Sequence, residues 1–282
     1  AKPPLAARGI AIPKGALAKT PDEAAAVAAR LGAVVVKAQV PTGKRGKAGG
    51  IKLAATPDEA RTHAKAIIGM EIAGHKIEQV LIEEQMPIER ELYAAVLNDP
   101  SSKGPLVMFS IEGGMDIEEV AATAPDKLHR QSVDIRRGFS HADAGKLVHC
   151  LGLGAAEDKV ADALARLYAV YAAFDAELLE INPLIVAADG RVVALDCKFV
   201  MDDSGIVRHA EVARAGTPEK LTGLEARAKA AGLKYIDLEG NVGVLANGAG
   251  LTMTTMDVIR HHGGRPANFL EIGGEAYTQA KP

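Results

Sequence analysis

The tetrapeptide Thr-Pro-Asp-Glu occurs twice, at residues 20–23 and 56–59, and each copy opens an alanine-rich stretch. Thr at an N-cap offers its hydroxyl to an unpartnered backbone N–H, Pro suits the first helical position, and Glu at N3 completes a capping box. Gly32 and Gly69 stand where a helix wants its C′ glycine. Each signature therefore predicts a helix of about a dozen residues. The apolar run 33–40, AVVVKAQV, is then a strand held between two helices, and IKLAA, just before the second signature, reads as another. Helices and strands interleaved this closely predict an α/β (α+β) layer structure.

Between the two strands lies GKRGKAGG, residues 43–50, with four glycines and three cations in eight positions. Glycine lets backbone N–H groups approach a ligand, and Lys or Arg neutralises phosphate. The same composition also makes an ordinary surface turn. It is not a Walker A loop, because neither Gly43-Lys44 nor Gly46-Lys47 is followed by Ser or Thr. It is not the dinucleotide fingerprint, because no G-x-G opens it.

Strand patterns follow in KIEQVLIEEQM, ERELYAAVLND and PLVMFSIEGG, the last two separated by a turn-rich NDPSSKG break that predicts antiparallel neighbours. Helical spacing returns at 142–151 and at 156–174. A hairpin comes next: AELLEINPLIVA, the loop Ala188-Asp189-Gly190, then RVVALDCKFVMDD. If that loop is three residues long, Ala187 faces Arg191 and Asn182 faces Asp196. Alternation then gathers Glu180, Asn182, Asp196 and Lys198 on one face. Two carboxylates and an amide oxygen suit Mg²⁺, which takes hard oxygen donors and shares them with substrate phosphates. A solvated polar sheet face has the same composition. Lys37, alone in a Val/Ala strand, either contacts phosphate or faces water, and Glu83, Glu84 and Glu91 at strand ends either hold a nucleotide's ribose or amino group or are merely exposed.

After a polar, Ala-rich helical stretch around 216–232, YIDLEGNVGVLANGAG, LTMTTMDVIRHHGG and RPANFLEIGG read as strand, glycine turn, helix and strand. That is the opening βαβ of a parallel sheet. Two strands and one helix do not close a doubly wound domain, so further chain or a partner is expected to complete it.

At 282 residues, two domains are expected. A net charge of −3 excludes a basic footprint for nucleic acid. Cys150 and Cys197 form neither a disulfide framework nor a zinc spacing, which suits a reducing compartment. No apolar stretch is long enough for a bilayer, and the proline-broken AKPPLAARGIAIPKG does not read as a secretory signal.

The segments VVVKAQVPTGKRGKAGGIKL, ERELY, EGGMDIEEVA, LEINPLIV, ALDCK, GNVGVLANGAGLTMTTMD and GGRPANFLEIGG, in that order, resemble the β subunits of succinyl-CoA synthetases and the related malate–CoA ligases. The resemblance implies an ATP-grasp domain over 1–225 and the beginning of a flavodoxin-like CoA-ligase domain over 226–282. It implies that Lys37 contacts nucleotide phosphate, and that the loop containing Gly43, Lys44, Arg45 and Gly46 closes over the triphosphate. Glu83 and Glu91 match nucleotide-binding glutamates, and Met86 stands where the family has a small polar nucleotide contact. Asn182 and Asp196 match Mg²⁺ ligands, Glu180 a catalytic glutamate near the docking point of a phosphohistidine, and Asn247 a carboxylic-acid contact.

The implied reaction is acid–CoA ligation forming ADP or GDP from ATP or GTP, with succinate as the favoured dicarboxylic acid and malate as the alternative. The implied partner is an α subunit carrying the phosphorylated histidine and most of the CoA site, in a heterodimer or heterotetramer. The cytoplasm, or the mitochondrial matrix in a eukaryote, is the expected location. A nucleotide-binding interaction subunit without turnover is the alternative of a different class.

Overall fold

Both Thr-Pro-Asp-Glu signatures start helices. The Thr20 and Thr56 hydroxyls each accept from the N3 backbone N–H at 3.2 Å. Glu23 and Glu59, however, accept from the N–H groups of Lys19 and Ala55 at 2.7 Å. The carboxylates thus close on the amide before the cap rather than on the cap's own.

The computed structural model describes residues 2–40, 45–216 and 221–273. The chain divides into two units, Ala1–Thr217 and Pro218–Pro282. Unit one begins with α1 (Lys2–Ala7), β1 (Gly15–Ala18), α2 (Pro21–Leu31), β2 (Val34–Ala38), β3 (Ile51–Ala54) and α3 (Pro57–Ile67). A small hairpin of β4 (Glu71–Ile72) and β5 (His75–Lys76) leads to β6 (Val80–Glu84). Four strands form an antiparallel sheet in the order β1-β6-β2-β3. Alternate β2 residues Val34, Val36 and Ala38 are fully buried, and Ala24, Ala28, Ala60 and Ala64 of the two helices join them in one core. The strand from KIEQVLIEEQM therefore pairs within this sheet and not beside ERELY.

The second sheet contains β7 (Ile88–Asp99), β8 (Gly104–Ser110), β9 (His129–Ser132), β10 (Ala176–Ala187), β11 (Val192–Ala194) and β12 (Lys198–Met201), with order β11-β10-β7-β8-β9 and β12 also pairing β10. β7 and β8 are antiparallel neighbours, as the turn-rich break predicts. Between the strands come α4 (Ile117–Thr123), α5 (His141–Val148) and α6 (Glu157–Ala173), and α7 (Ala210–Arg214) follows them. Leu164, Leu167 and Val170 of α6 pack into one core with Leu92, Phe109, Leu179 and Leu184. Leu5 of α1 belongs to this same core and is fully buried. Burying a Leu side chain stabilises by roughly 1.5–3 kcal/mol, which pins the short α1 helix.

In unit two, α8 (Gly223–Ala230) starts with a full capping box between Thr222 and Glu225, and β13 (Lys234–Asp237), α9 (Ala249–His261) and β14 (Asn268–Glu271) follow. The expected parallel βαβ is only partly realised. The regular ladder is antiparallel, β13 with β14, and the glycine-rich stretch before α9 runs parallel to it through isolated bridges Val242–Pro266 and Ala246–Glu271. The cause is a side chain: buried Asn268 accepts from the Val244 N–H at 2.9 Å and donates to its carbonyl at 2.7 Å, replacing ladder bonds.

Candidate functional site

The hairpin count is met by the observed register. β10 pairs β11 at Val186–Val192 and Leu184–Ala194, and pairs β12 at Glu180–Lys198 and Leu179–Phe199. From Leu178 to Val186 every step along one strand is matched by one step back on the other, so Asn182 falls opposite Asp196 although the ladder is broken between Ala194 and Lys198. Within that break the Leu195 N–H donates to the Pro183 carbonyl at 3.1 Å, which keeps the strands in step.

Side chains from the first sheet reach the same break. Lys37 of β2 donates to the Leu195 carbonyl at 2.9 Å and to Glu83 Oε2 at 2.8 Å. Arg45, near the start of the glycine-rich segment, donates through Nη1 to the Ala38 carbonyl at 3.0 Å and through Nη2 to Asp196 Oδ2. Behind it, Gly50 N–H donates to the Arg45 carbonyl at 2.8 Å, and a Cβ on Gly50 would come within 2.8 Å of Ile72 and 3.0 Å of Ala38. Only glycine permits that closure without a shift. Gly46 lies in the same turn, accepting from the Gly49 N–H at 3.0 Å. Gly43 and Lys44 lie outside the described residues.

Burial raises the cost of charge on Asp196, but Arg45, the Cys197 backbone N–H and Lys37 outweigh it and hold the carboxyl below its usual range. Neighbouring Cys197 is the reverse case: burial pushes its thiol up to about 12, so it is no nucleophile.

Glu83 and Glu84 differ sharply. Glu83 is 2% exposed, and Lys2 reaches both its oxygens, at 2.5 and 2.8 Å, while Lys37 shares one. Glu84 instead accepts the Lys14 backbone N–H at 2.9 Å. Burial and the nearby Lys37 pull the Lys2 ammonium below its ordinary range, with Glu83 acting against them.

Along β10, Glu180 accepts a hydrogen bond from the Tyr93 hydroxyl at 3.2 Å, and its carboxyl is raised, first by burial. The Asn182 amide oxygen accepts from the Gly114 N–H at 2.8 Å, and its nitrogen donates to the Met115 carbonyl at 2.9 Å. Gly113 donates to the Glu91 carbonyl at 3.0 Å, and a Cβ on Gly114, at φ +69, would come within 2.1 Å of a Glu91 carboxylate oxygen. The Gly113–Gly114 turn thus packs against both Glu91 and Asn182. Met86 is buried against Ile185, Ala187 and Val193.

Lys37, Arg45, Glu83 and Asp196 accordingly form one linked cluster, and Glu180 and Asn182 occupy the strand opposite Asp196. Glu91 is tied to Asn182 by the glycine turn. Asn247 is an exposed residue of unit two, just before α9. Sequence reasoning missed Lys2, Tyr93 and the Gly113–Gly114 turn. The Gly-Gly pair was the available signal for the turn, whereas Lys2 looks like any helix-surface lysine and Tyr93 like any core aromatic.

Hard oxygens from Asn182 and Asp196 on facing strands fit a small divalent cation. The carboxylate is held ionised, and the amide carbonyl has a second lone pair beyond the one Gly114 uses. Two cations from the other sheet at the same point fit a ligand more negative than a carboxylate.

Comparison with known proteins agrees in fold and family. The ATP-grasp domain family model matches residues 1–186 and the CoA-ligase model matches residues 245–282. The β subunit of GDP-forming succinate–CoA ligase from Thermus thermophilus is 46% identical over 277 residues, spanning 98% of this chain and 73% of that protein. The ADP-forming counterpart from Rubrobacter xylanophilus is 48% identical over 264 residues, spanning 93% and 69%. Among solved structures, ATP citrate lyase from Methanothrix soehngenii with citrate and coenzyme A superposes with a TM-score of 0.67 at 25% identity, covering 92% of this chain and 65% of that one. An acetyl-coenzyme A synthetase of Ca. Korarchaeum cryptofilum shares the fold at a TM-score of 0.60 and 23% identity.

Proposed function

The chain belongs to the succinate–CoA ligase β-subunit family, and from that premise we propose how its nucleotide site works. It is the β subunit of an ADP- or GDP-forming acid–CoA ligase, acting with an α subunit. The finer reading is that Asn182 and Asp196 hold Mg²⁺, that Lys37 and Arg45 hold the nucleotide phosphates, and that the phosphoryl group passes to a histidine of the α subunit. The observation that carries it is the meeting of Asp196, Arg45 and Lys37 at the break opposite Asn182.

When bound, the metal ion would supply charge neutralisation on the transferring phosphate. The chain's own residues do the rest. Arg45 holds Asp196, and with that carboxylate engaged by a metal ion its guanidinium would be free to meet a phosphate. Lys37 spends two of its three N–H donors on Leu195 and Glu83 and has a third for a phosphate oxygen. Donors fixed in place before the reaction lower the barrier because they need no reorganisation as charge develops. Glu180, held by Tyr93, faces the partner's histidine and orients it. Asn247 contributes to the acid site, for which succinate is the favoured substrate, and CoA sits mainly on the α subunit.

The test is transfer of the γ-phosphoryl group from labelled ATP to added α subunit. The wild-type chain should phosphorylate it in a Mg²⁺-dependent manner, and Asp196→Ala should bind the α subunit yet fail to do so. Undiminished transfer by that variant would remove Asp196 from the metal site.

A further inference from the structure

We propose that Lys2 is a positioning residue for the nucleotide site: by taking up the charge of Glu83, it leaves Lys37 with a positive charge to offer a phosphate. The proposal rests on the reading of Lys37 as a phosphate contact.

The charge count is unusual for a buried cluster. Glu83 is 2% exposed, and the side chains of Lys2 and Lys37 are only 12% and 11% exposed. Among the described residues, one carboxylate faces two ammonium groups. Lys2 engages both oxygens, whereas Lys37 engages only Oε2 and has turned its other bond to the Leu195 carbonyl. A buried carboxylate needs a partner, and an ion pair that is complete has little attraction left for a third charge. With Lys2 absent, Glu83 would be balanced by Lys37 alone, and the lysine proposed to meet the nucleotide would arrive already neutralised. With Lys2 present, the cluster keeps one excess positive charge, directed from β2 toward Asp196.

The geometry also explains how a residue of so short a helix can be relied on. Leu5 is fully buried in the core under the second sheet, while Lys2 reaches across to β6 of the first. α1 is therefore anchored in the core of the second sheet and places its ammonium on a carboxylate of the first.

The experiment measures calorimetric binding of Mg²⁺ with a non-hydrolysable ATP analogue to the full chain assembled with its partner subunit. Lys37→Met should weaken binding. Lys2→Met should weaken it by about tenfold or more, the scale of one charge-assisted hydrogen bond in a partly buried site. The double variant Lys2→Met/Glu83→Gln, which removes the carboxylate that Lys37 would otherwise have to balance, should recover most of that loss. Unchanged binding in Lys2→Met, or a double variant as weak as Lys37→Met, would overturn the proposal. If Lys2→Met does not fold, the double variant, which keeps the same single excess positive charge as the wild-type cluster, decides alone by the same criterion. Unchanged binding in Lys37→Met would instead overturn the phosphate reading of Lys37 on which the proposal stands.

Discussion

The two sheets of unit one meet at one site but are built from different materials. Under the four-stranded sheet the helices present Ala24, Ala28, Ala60 and Ala64, and the strands present mostly Val and Ala. Under the six-stranded sheet the core is Leu164, Leu167, Phe109, Leu179 and Tyr171. Small side chains let helices lie close on a sheet, and large ones fill a wider gap. The charges divide the same way: the first sheet and the turn between its β2 and β3 send in the cations Lys37 and Arg45, and the second sheet and the break in it supply the oxygens of Asn182, Glu180 and Asp196. On the proposed reading, charge delivery and ligand scaffolding reside on separately packed supports, so that damage to one should have a different signature from damage to the other.

Substitutions at the site should separate the two sheets most strongly. Asp196→Ala, on the oxygen side, should reduce the rate of α-subunit phosphorylation about a thousandfold or more, because a bound metal contributes several kcal/mol of transition-state stabilisation. Lys37→Met, on the cation side, should appear mainly as weaker nucleotide binding, so kcat and KM measured side by side test the division. Equal effects of both variants on kcat alone would merge the two roles.

The cores give the next contrast. Leu164→Ala, at a fully buried position under the second sheet, should cost about 2–5 kcal/mol in urea unfolding, as cavity-forming Leu→Ala changes do. The first sheet should suffer from the opposite change: Ala60→Leu overfills a fully buried position and should cost about 1–3 kcal/mol. If Ala60→Leu were neutral, the close-packed description of that core would be wrong. Smallest is the cap. Thr56→Ala removes the 3.2 Å bond to the Glu59 N–H and should lower stability by about 1 kcal/mol, read as a modest drop in Tm without loss of nucleotide binding.

Much of this division was legible in the residues. The repeated Thr-Pro-Asp-Glu signature located both helices because capping is local chemistry, and the Ala188–Gly190 loop fixed the register of the hairpin because a turn of known length leaves one pairing. What escaped depends on contacts distant in sequence. Lys2 and Glu83 are separated by most of a lobe's worth of chain, and no local pattern announces that they will touch. The strand of KIEQVLIEEQM reads the same in either sheet, since alternation specifies a face and not a neighbour. In unit two the glycine-rich stretch does run parallel to β14, but the amide of Asn268 takes both backbone bonds of Val244 in its middle, so the ladder is reduced to isolated bridges. Resemblance, not periodicity, supplied the expectations for Met86 and Asn247.

The break between β11 and β12 has an evolutionary consequence. Unpaired stretches usually tolerate insertions and deletions, because nothing beyond them depends on their length. Here the strands on both sides of the break keep the same offset against β10, and the Leu195 carbonyl inside it is held by Lys37. One residue gained or lost would turn Lys198 and every residue after it in β12 to the opposite face of the sheet. Natural variation in these three positions should therefore exchange apolar side chains of similar size at Leu195 and Cys197 while leaving the count of residues untouched.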